Sequence, residues 1–342
     1  MAELLFVSLM SENASAFCHA LTAYLSASVE APIRVLGGPW QAAEQRLYRG
    51  DAQLGVVCGL QYVLAHDRAE EPGVELLAAP VMAAARYAGR PVYFSDVVVR
   101  ADSRARSLAD LRGAAWAYNE RTSHSGYAVT RFALAEQGER GAFFGRVLGS
   151  GAHLQSLAWL LDGRVDATAI DSTVLEQELR TRPELAPAIR RVETFGPSPI
   201  PPLVASRALP QDLRQRVRAA LLAMHADPHG HQVLARAGMS RFVGVTDADY
   251  DPIRTMWRAA ARLAPWIDDN ANAELTREEA QPEGVDARPE VGNGPPEAAD
   301  GLLEAAAALA PDDLRLSGSR RSRARTPRAG SAPPDRRRAT PG

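Results

Sequence analysis

Asn119-Glu-Arg-Thr-Ser-His-Ser-Gly-Tyr127 follows an apolar run, Ala114-Ala-Trp-Ala-Tyr118, that reads as a buried strand. It precedes Ala128 to Gln137, where Val129, Phe132, Ala133 and Leu134 share a face at helical spacing. The polar stretch therefore sits where a strand ends and a helix begins. There the first backbone N–H groups have no partner within the helix, and the helix dipole is positive. Ser123 and Ser125 add hydroxyl donors, and Gly126 lets a ligand approach the backbone, a combination that suits a tetrahedral oxyanion. The same residues also suit an ordinary capped helix, with Thr122 or Ser123 as N-cap.

Working outward toward the N-terminus, Leu4 to Leu9 reads as a buried strand, and Ser11-Glu-Asn13 caps a helix running to about Ser26. Pro32 to Leu36 is a second strand and Trp40 to Tyr48 a helix. Gln53 to Cys58 is a third strand, ended by Gly59, and Val74 to Ala79 a fourth. A second unit starts near Tyr93 with the β-branched run Val97-Val-Val99. Ser107 to Gly113 reads as a short helix stopped by its glycine. Beyond the polar stretch come a strand at Arg146 to Gly149, a helix from Ala152 to Leu161, a strand at Val165 to Ile170, and Asp171-Ser172 opening the next helix. Strands alternating with helices of this length predict an α/β fold with parallel sheets.

Around Val192 to Phe195 the chain is expected to return to the first unit through the stiff connection carrying Pro197, Pro199, Pro201 and Pro202. A short strand at Leu203 to Ser206 follows, then helices from Gln211 to His225, Gly230 to Ala237 and Asp247 to Leu263. The predicted organisation is thus residues 1–90 plus 196–264 in one lobe and 91–195 in the other, with a low-complexity tail over 265–342. Residues 267–313 hold 13 acidic residues against Arg277 and Arg288, and residues 314–342 hold nine Arg against Asp335. Large apolar residues thin out there, which predicts disorder. The tail's partner is not readable, and its Arg cluster suits either solvent or an anionic surface.

The chain of 342 residues is 46% hydrophobic, enough for two lobes with real cores. A net charge of −2 argues against a core that binds nucleic acid, and the absence of Lys reflects base composition more than function. Cys18 and Cys58 read as small core residues, with no CxxC spacing. His225, His229 and His231 straddle a helix junction with no further ligand at metal spacing, so neither metal nor cofactor is expected. No apolar run approaches the ~20 residues of a membrane span. No charged leader or long apolar signal segment is visible either, so the chain as written reads as cytoplasmic, or as periplasmic or extracellular if its start is misplaced.

Tyr93-Phe-Ser95, Ser107-Leu-Ala-Asp-Leu-Arg-Gly113 and Ser123-His-Ser-Gly-Tyr127, followed by Gly149-Ser-Gly-Ala-His153 and Gly163-Arg-Val-Asp-Ala-Thr-Ala-Ile-Asp171, resemble the phosphate/phosphite/phosphonate-binding proteins of ABC transporters. The resemblance covers roughly residues 3 to 260 and is strongest from 90 to 206. It implies the type 2 periplasmic-binding-protein fold, two lobes hinged about a cleft that holds the ligand, and an ABC permease as partner. Carried over by position, Ser123, His124, Ser125, Gly126 and Tyr127 form the oxyanion loop, with Ser123, Ser125 and the Gly126 N–H on the ligand oxygens. Tyr93 adds a hydroxyl and His153 a donor from the start of the next helix. Asp171 meets a ligand amine or a protonated oxyanion, and Trp40 lies over the ligand from the first lobe.

Each residue has a plainer role open to it: His153 and Asp171 as helix caps, Tyr93 as an ordinary strand residue, Trp40 as core. Two functions from different classes fit. One is a non-catalytic solute-binding protein for a phosphonate-like or phosphate-like oxyanion, and no nucleophile elbow or zinc-protease motif contradicts it. The other is a cytosolic lyase, dehydratase or ligand sensor that uses the same cleft, with Asp171 or His153 as acid or base.

Overall fold

The computed structural model describes residues 3–263, apart from 39, 70, 71 and 140, together with Trp266. Apart from Trp266, the predicted low-complexity tail lies outside the described residues. The chain opens with β1 (Leu4–Ser8), α1 (Ser15–Val29), β2 (Ile33–Val35), α2 (Trp40–Arg49), β3 (Leu54–Val56), α3 (Gly59–Asp67) and β4 (Val74–Met82). It continues with β5 (Val92–Arg100), β6 (Ala115–Tyr118), α4 (Val129–Glu136), β7 (Arg146–Gly149), α5 (His153–Leu161), β8 (Ala167–Asp171), α6 (Ser172–Thr181) and β9 (Ile189–Pro199). It ends with β10 (Leu203–Ser206), α7 (Gln211–Ala223), α8 (Pro228–Arg236), β11 (Met239–Val243) and α9 (Asp251–Ala260).

Among the described residues the strands form two sheets, in the orders β11-β4-β10-β3-β1-β2 and β7-β6-β8-β5-β9. Both are mixed, where the alternation of elements predicts parallel strands. β10 runs antiparallel to β3 and β4, and β5 antiparallel to β8 and β9. The reason is topological. A strand linked to its neighbour by a local helix crosses over and runs parallel. β5 and β10 arrive from the other sheet, entering at the edge where the parallel strands end, so they run the opposite way.

Residue pattern explains the layers. α1 buries Cys18, Leu21, Thr22, Tyr24, Leu25 and Val29, a helical stripe that packs with α7 and α8 residues over one face of the first sheet. In β5, Val97 and Val99 face one core while Val98 faces another, so consecutive valines serve opposite faces of a strand buried on both sides. α5 and α6 cover that second face through Leu157, Leu160, Val174 and Leu175. The crossing from β4 to β5 is pinned by Arg86, whose guanidinium donates two 2.9 Å hydrogen bonds to the fully buried Asp96. Thr194 Oγ1 and Arg191 Nε complete the carboxylate's partners, which is what allows a charge to sit inside the sheet.

Four local features differ from the sequence pattern. Gly59 does not merely end β3 but begins α3, a helix the sequence pattern did not suggest. A Cβ there would lie 2.5 Å from Ile253 Cδ1, so the glycine serves close packing against α9. β11 was likewise unforeseen, and Ser107 to Gly113 holds only a 3-10 turn at Ala109–Leu111. The second sheet does not release the chain at Phe195. β9 runs on to Pro199, with Tyr93 paired to Ser198 and Val92 to Pro199, so the return comes at residues 200–202. Pro197 and Pro199 are tolerated because β9 is an edge strand, where a missing N–H need not break a ladder.

Candidate functional site

β6, β7 and β8 run parallel, so their C-terminal ends lie along one edge of the second sheet. This is the edge where open α/β sheets bind ligands. β6 leads into the Asn119–Gly126 loop, β7 into His153 at the start of α5, and β8 ends in Asp171 at the start of α6.

The loop closes as a wide turn. Ala128 N–H donates to Ser123 O at 3.1 Å, and Val129 N–H donates to His124 O, both spanning five residues. Such π-type turns inside helices recur at functional sites. Ser123 is the N-cap, its hydroxyl oxygen accepting from Gly126 N–H at 3.1 Å. The cap reading of Ser123 therefore holds in this structure, and the Gly126 N–H, expected to face a ligand, is already bonded. Gly126 matters for space instead. A Cβ there would fall 1.8 Å from Asn119 Oδ1 and 3.1 Å from His153 Cε1.

Ser125 sits at the centre. Its hydroxyl is 3.1 Å from His153 Nε2 and beside the Tyr93 hydroxyl, and its carbonyl accepts a 2.6 Å hydrogen bond from Ser95 Oγ. Ser95 pairs with Asp171 across β5 and β8, which sets Asp171 opposite the turn. His124 turns its Nε2 to Ser198 Oγ at 2.9 Å, with its ring 6.3 Å from that of Tyr93. Tyr93, His124, Ser125, His153 and Asp171 are all at most 8% exposed. The Nδ1 atoms of His124 and His153 and Asn119 Oδ1 are buried with no partner among the described residues, although such atoms are nearly always bonded.

Asp171 also caps α6, its Oδ1 accepting from Thr173 N–H and Oγ1 at 2.7 Å each. Trp40 is not over the turn's centre. Its indole N–H donates to Glu120 Oε1 at 3.2 Å, joining the start of α2 to the loop. Tyr127 leaves the group altogether. Its hydroxyl accepts from Arg131 at 3.1 Å and its ring packs among Tyr118 and Trp266.

Burial governs the electrostatics. It holds both His124 and His153 down to about 4, so both imidazoles are neutral at pH 7. It raises Asp171 to about 6 against the pull of the Thr173 bonds, and Glu120 to about 7 against the Trp40 bond. The Tyr93 hydroxyl is pushed well above its ordinary value. The site named here is thus a set of neutral donors beside two carboxyls. It can hold an oxyanion by hydrogen bonds, and an anion's charge would draw a proton onto an imidazole.

Cys58 packs against the core, as its apolar setting predicts, and also borders this site. It precedes α3 in the first sheet's unit, and the backbone N–H groups of His124, Leu60 and Gln61 lie against its sulfur. Burial outweighs them and raises the thiol's pKa. Asn13 makes a second bridge of this kind, its Nδ2 donating to Val174 O at 3.1 Å. The signal available in the sequence was the one that marks Ser123, a polar residue between a strand and a helix.

The sequence pattern of the periplasmic substrate-binding proteins of phosphonate ABC transporters matches residues 8–250. Among solved structures, a binding-protein component of an ABC phosphonate transporter from Pseudomonas aeruginosa is similar with a TM-score of 0.66 at 20% identity, over 81% of this chain and 94% of that one. PhnD1 from Prochlorococcus marinus, solved with methylphosphonate, gives 0.67 at 17% identity over 76% and 99%. A Xanthomonas citri protein bound to ATP gives 0.61 at 19% identity over 77% and 98%. At these identities the likeness to each solved structure is one of fold.

Proposed function

Because the chain belongs to the family of periplasmic substrate-binding proteins of phosphonate ABC transporters, we propose that its turn at Ser123–Gly126 receives a phosphonate-like oxyanion for uptake. The family is one of binding proteins rather than enzymes. The observation that carries the proposal for this chain is the convergence of Ser125, Tyr93 and His153 in a buried place next to unpartnered imidazole nitrogens. Ser125 and Tyr93 donate hydroxyl hydrogens to ligand oxygens, and His153 donates a ring N–H, with both nitrogens able to donate once it takes up a proton. Asp171 accepts from a ligand's acidic proton or amine.

The two sheets are the cores of two lobes, the first formed by residues up to about 90 and from about 200, the second by those between. Cys58, Trp40 and Asn13 close from the first lobe onto the second. The ligand-loaded protein delivers to an ABC permease, and the family's description favours the periplasm over the cytoplasm as the place where it works. A thermal-shift panel of methylphosphonate, phosphite, phosphate and sulfate tests this reading. Methylphosphonate or another protonatable oxyanion should raise Tm, and sulfate, which offers Asp171 no proton near neutrality, should raise it least. No shift with any of the four would contradict the proposal.

A further inference from the structure

Trp266 lies some 140 residues from the site loop in sequence, yet it touches that loop from both ends. Its ring meets Tyr127 edge-on at 4.9 Å and Tyr118 at 6.0 Å, the residues that immediately follow and precede Asn119–Gly126. Tyr118 and Tyr127 are themselves 5.2 Å apart, so the three rings clamp the base of the loop. Trp116 and Phe144, stacked at 4.4 Å, close the far side at 6.3 and 5.6 Å from Trp266. Within the loop, Arg121 donates to Trp266 O at 3.4 Å. Behind it, Arg131 holds the Tyr127 hydroxyl and Leu263 O together.

This segment arrives through α9, which starts in the other unit. Arg254 of α9 bonds Asp67 at the end of α3 at 2.9 Å, and Ile253 packs on Gly59. α9 is therefore a strut from the helix that follows Cys58 to the back of the loop that carries Ser125.

We infer that Trp266 is a positioning residue for ligand binding: it holds the Ser123–Gly126 turn in shape from behind without touching the ligand. Aromatic pairs at these spacings and tilts favour edge-to-face contact, which fixes orientation as well as distance. A single turn with π-type hydrogen bonds is a rare backbone form that recurs at functional sites. Beside its cap and backbone bonds, the turn is flanked by Tyr118 and Tyr127, and what packs on those two rings supports both of its ends. The inference rests on the phosphonate reading only for its affinity arm.

The test compares full-length wild type with Trp266→Ala, Trp266→Leu and Trp266→Phe. In ligand-free protein, amide hydrogen exchange across residues 119–128 should quicken in the Ala and Leu variants while β1 and β3 keep their protection. Phe should restore most of the protection. Methylphosphonate affinity should fall on the order of tenfold or more in Ala and Leu and recover in Phe. If Trp266→Ala does not fold, the Leu and Phe pair decides. Unchanged loop exchange in the folded variants overturns the inference. So does unchanged affinity together with wild-type binding. If the wild type itself fails to bind methylphosphonate, the functional reading falls and the exchange result still decides the role of Trp266.

Discussion

Ser125 Oγ and His153 Nε2 lie 3.1 Å apart inside the protein, one on the turn after β6 and the other on the first residue of α5. The contact joins two segments that meet at the C-terminal edge of the second sheet. On the proposed reading Ser125→Ala removes a donor to the ligand, while the backbone turn stays capped by Ser123. A hydrogen bond to a charged group is worth roughly 1.5–3 kcal/mol, so methylphosphonate affinity should fall about tenfold to a hundredfold. The melting temperature of the ligand-free protein should stay close to that of wild type. A large loss of stability with no loss of affinity would make Ser125 a structural residue only.

Gly126→Ala should be more severe, since its Cβ would overlap Asn119 Oδ1 at 1.8 Å. Binding should vanish at ligand concentrations that saturate the wild type. Because the clash is with a side-chain end, Asn119→Ala combined with Gly126→Ala should recover part of it. Wild-type affinity in Gly126→Ala, measured by titration calorimetry, would show that the turn has room that this geometry denies.

Fold class and most of the loop were legible in the sequence because their signals are local. Val97-Val-Val99 announces a strand buried on both faces, and the strand-to-helix passage at Asn119–Tyr127 announces the capped turn that the structure places there. What was not legible depends on contacts distant in sequence. Gly59 reads as a breaker unless Ile253 is known to lie against it, and Tyr127 reads as part of the site unless Trp266 is known to hold its ring. Ser123 was open to both a cap and a ligand role, and only the 3.1 Å bond from Gly126 shows the cap.

Stability should respond to pH through Asp171. Burial holds His124 and His153 at about 4, below the ordinary 6.5, so between those values the unfolded chain takes protons the folded chain refuses, and stability falls as pH falls. Asp171 acts in the opposite sense. Raised from 3.8 to about 6, it keeps a proton in the folded state that the unfolded chain has lost, so its contribution is present below 3.8 and lost as pH rises through 6. Glu120, raised to about 7, works in the same direction as Asp171. Asp171→Asn removes one opposing group. Between about pH 6 and 4 the variant should lose stability relative to wild type by roughly 1.4 kcal/mol per pH unit. Urea unfolding at several pH values checks this, and parallel curves for the two proteins would contradict it.

Cys58 offers a chemical probe of closure. Its sulfur lies against His124 N–H from the other unit, whereas Cys18 is 1% exposed in the first sheet's core. Burial raises both thiols, so alkylation by iodoacetamide should be slow in the folded protein. Peptide mass spectrometry should find Cys58 modified first, and saturating methylphosphonate should slow that modification several-fold. An equal rate with and without ligand would mean that Cys58 does not sense the closed state.

The central claim is that a turn of neutral donors, beside carboxyls and without a fixed cation among the groups described, binds an oxyanion. Titration calorimetry of the full-length protein with methylphosphonate at pH 7, in two buffers of different ionisation enthalpy, tests it most directly. One ligand should bind per chain, at micromolar concentration or below, with a buffer-dependent heat that reports net proton uptake as an imidazole held near 4 becomes the donor to the bound anion. Absence of binding up to millimolar ligand would contradict the account, and binding with no proton uptake would mean that His153 donates to the ligand only as the neutral imidazole.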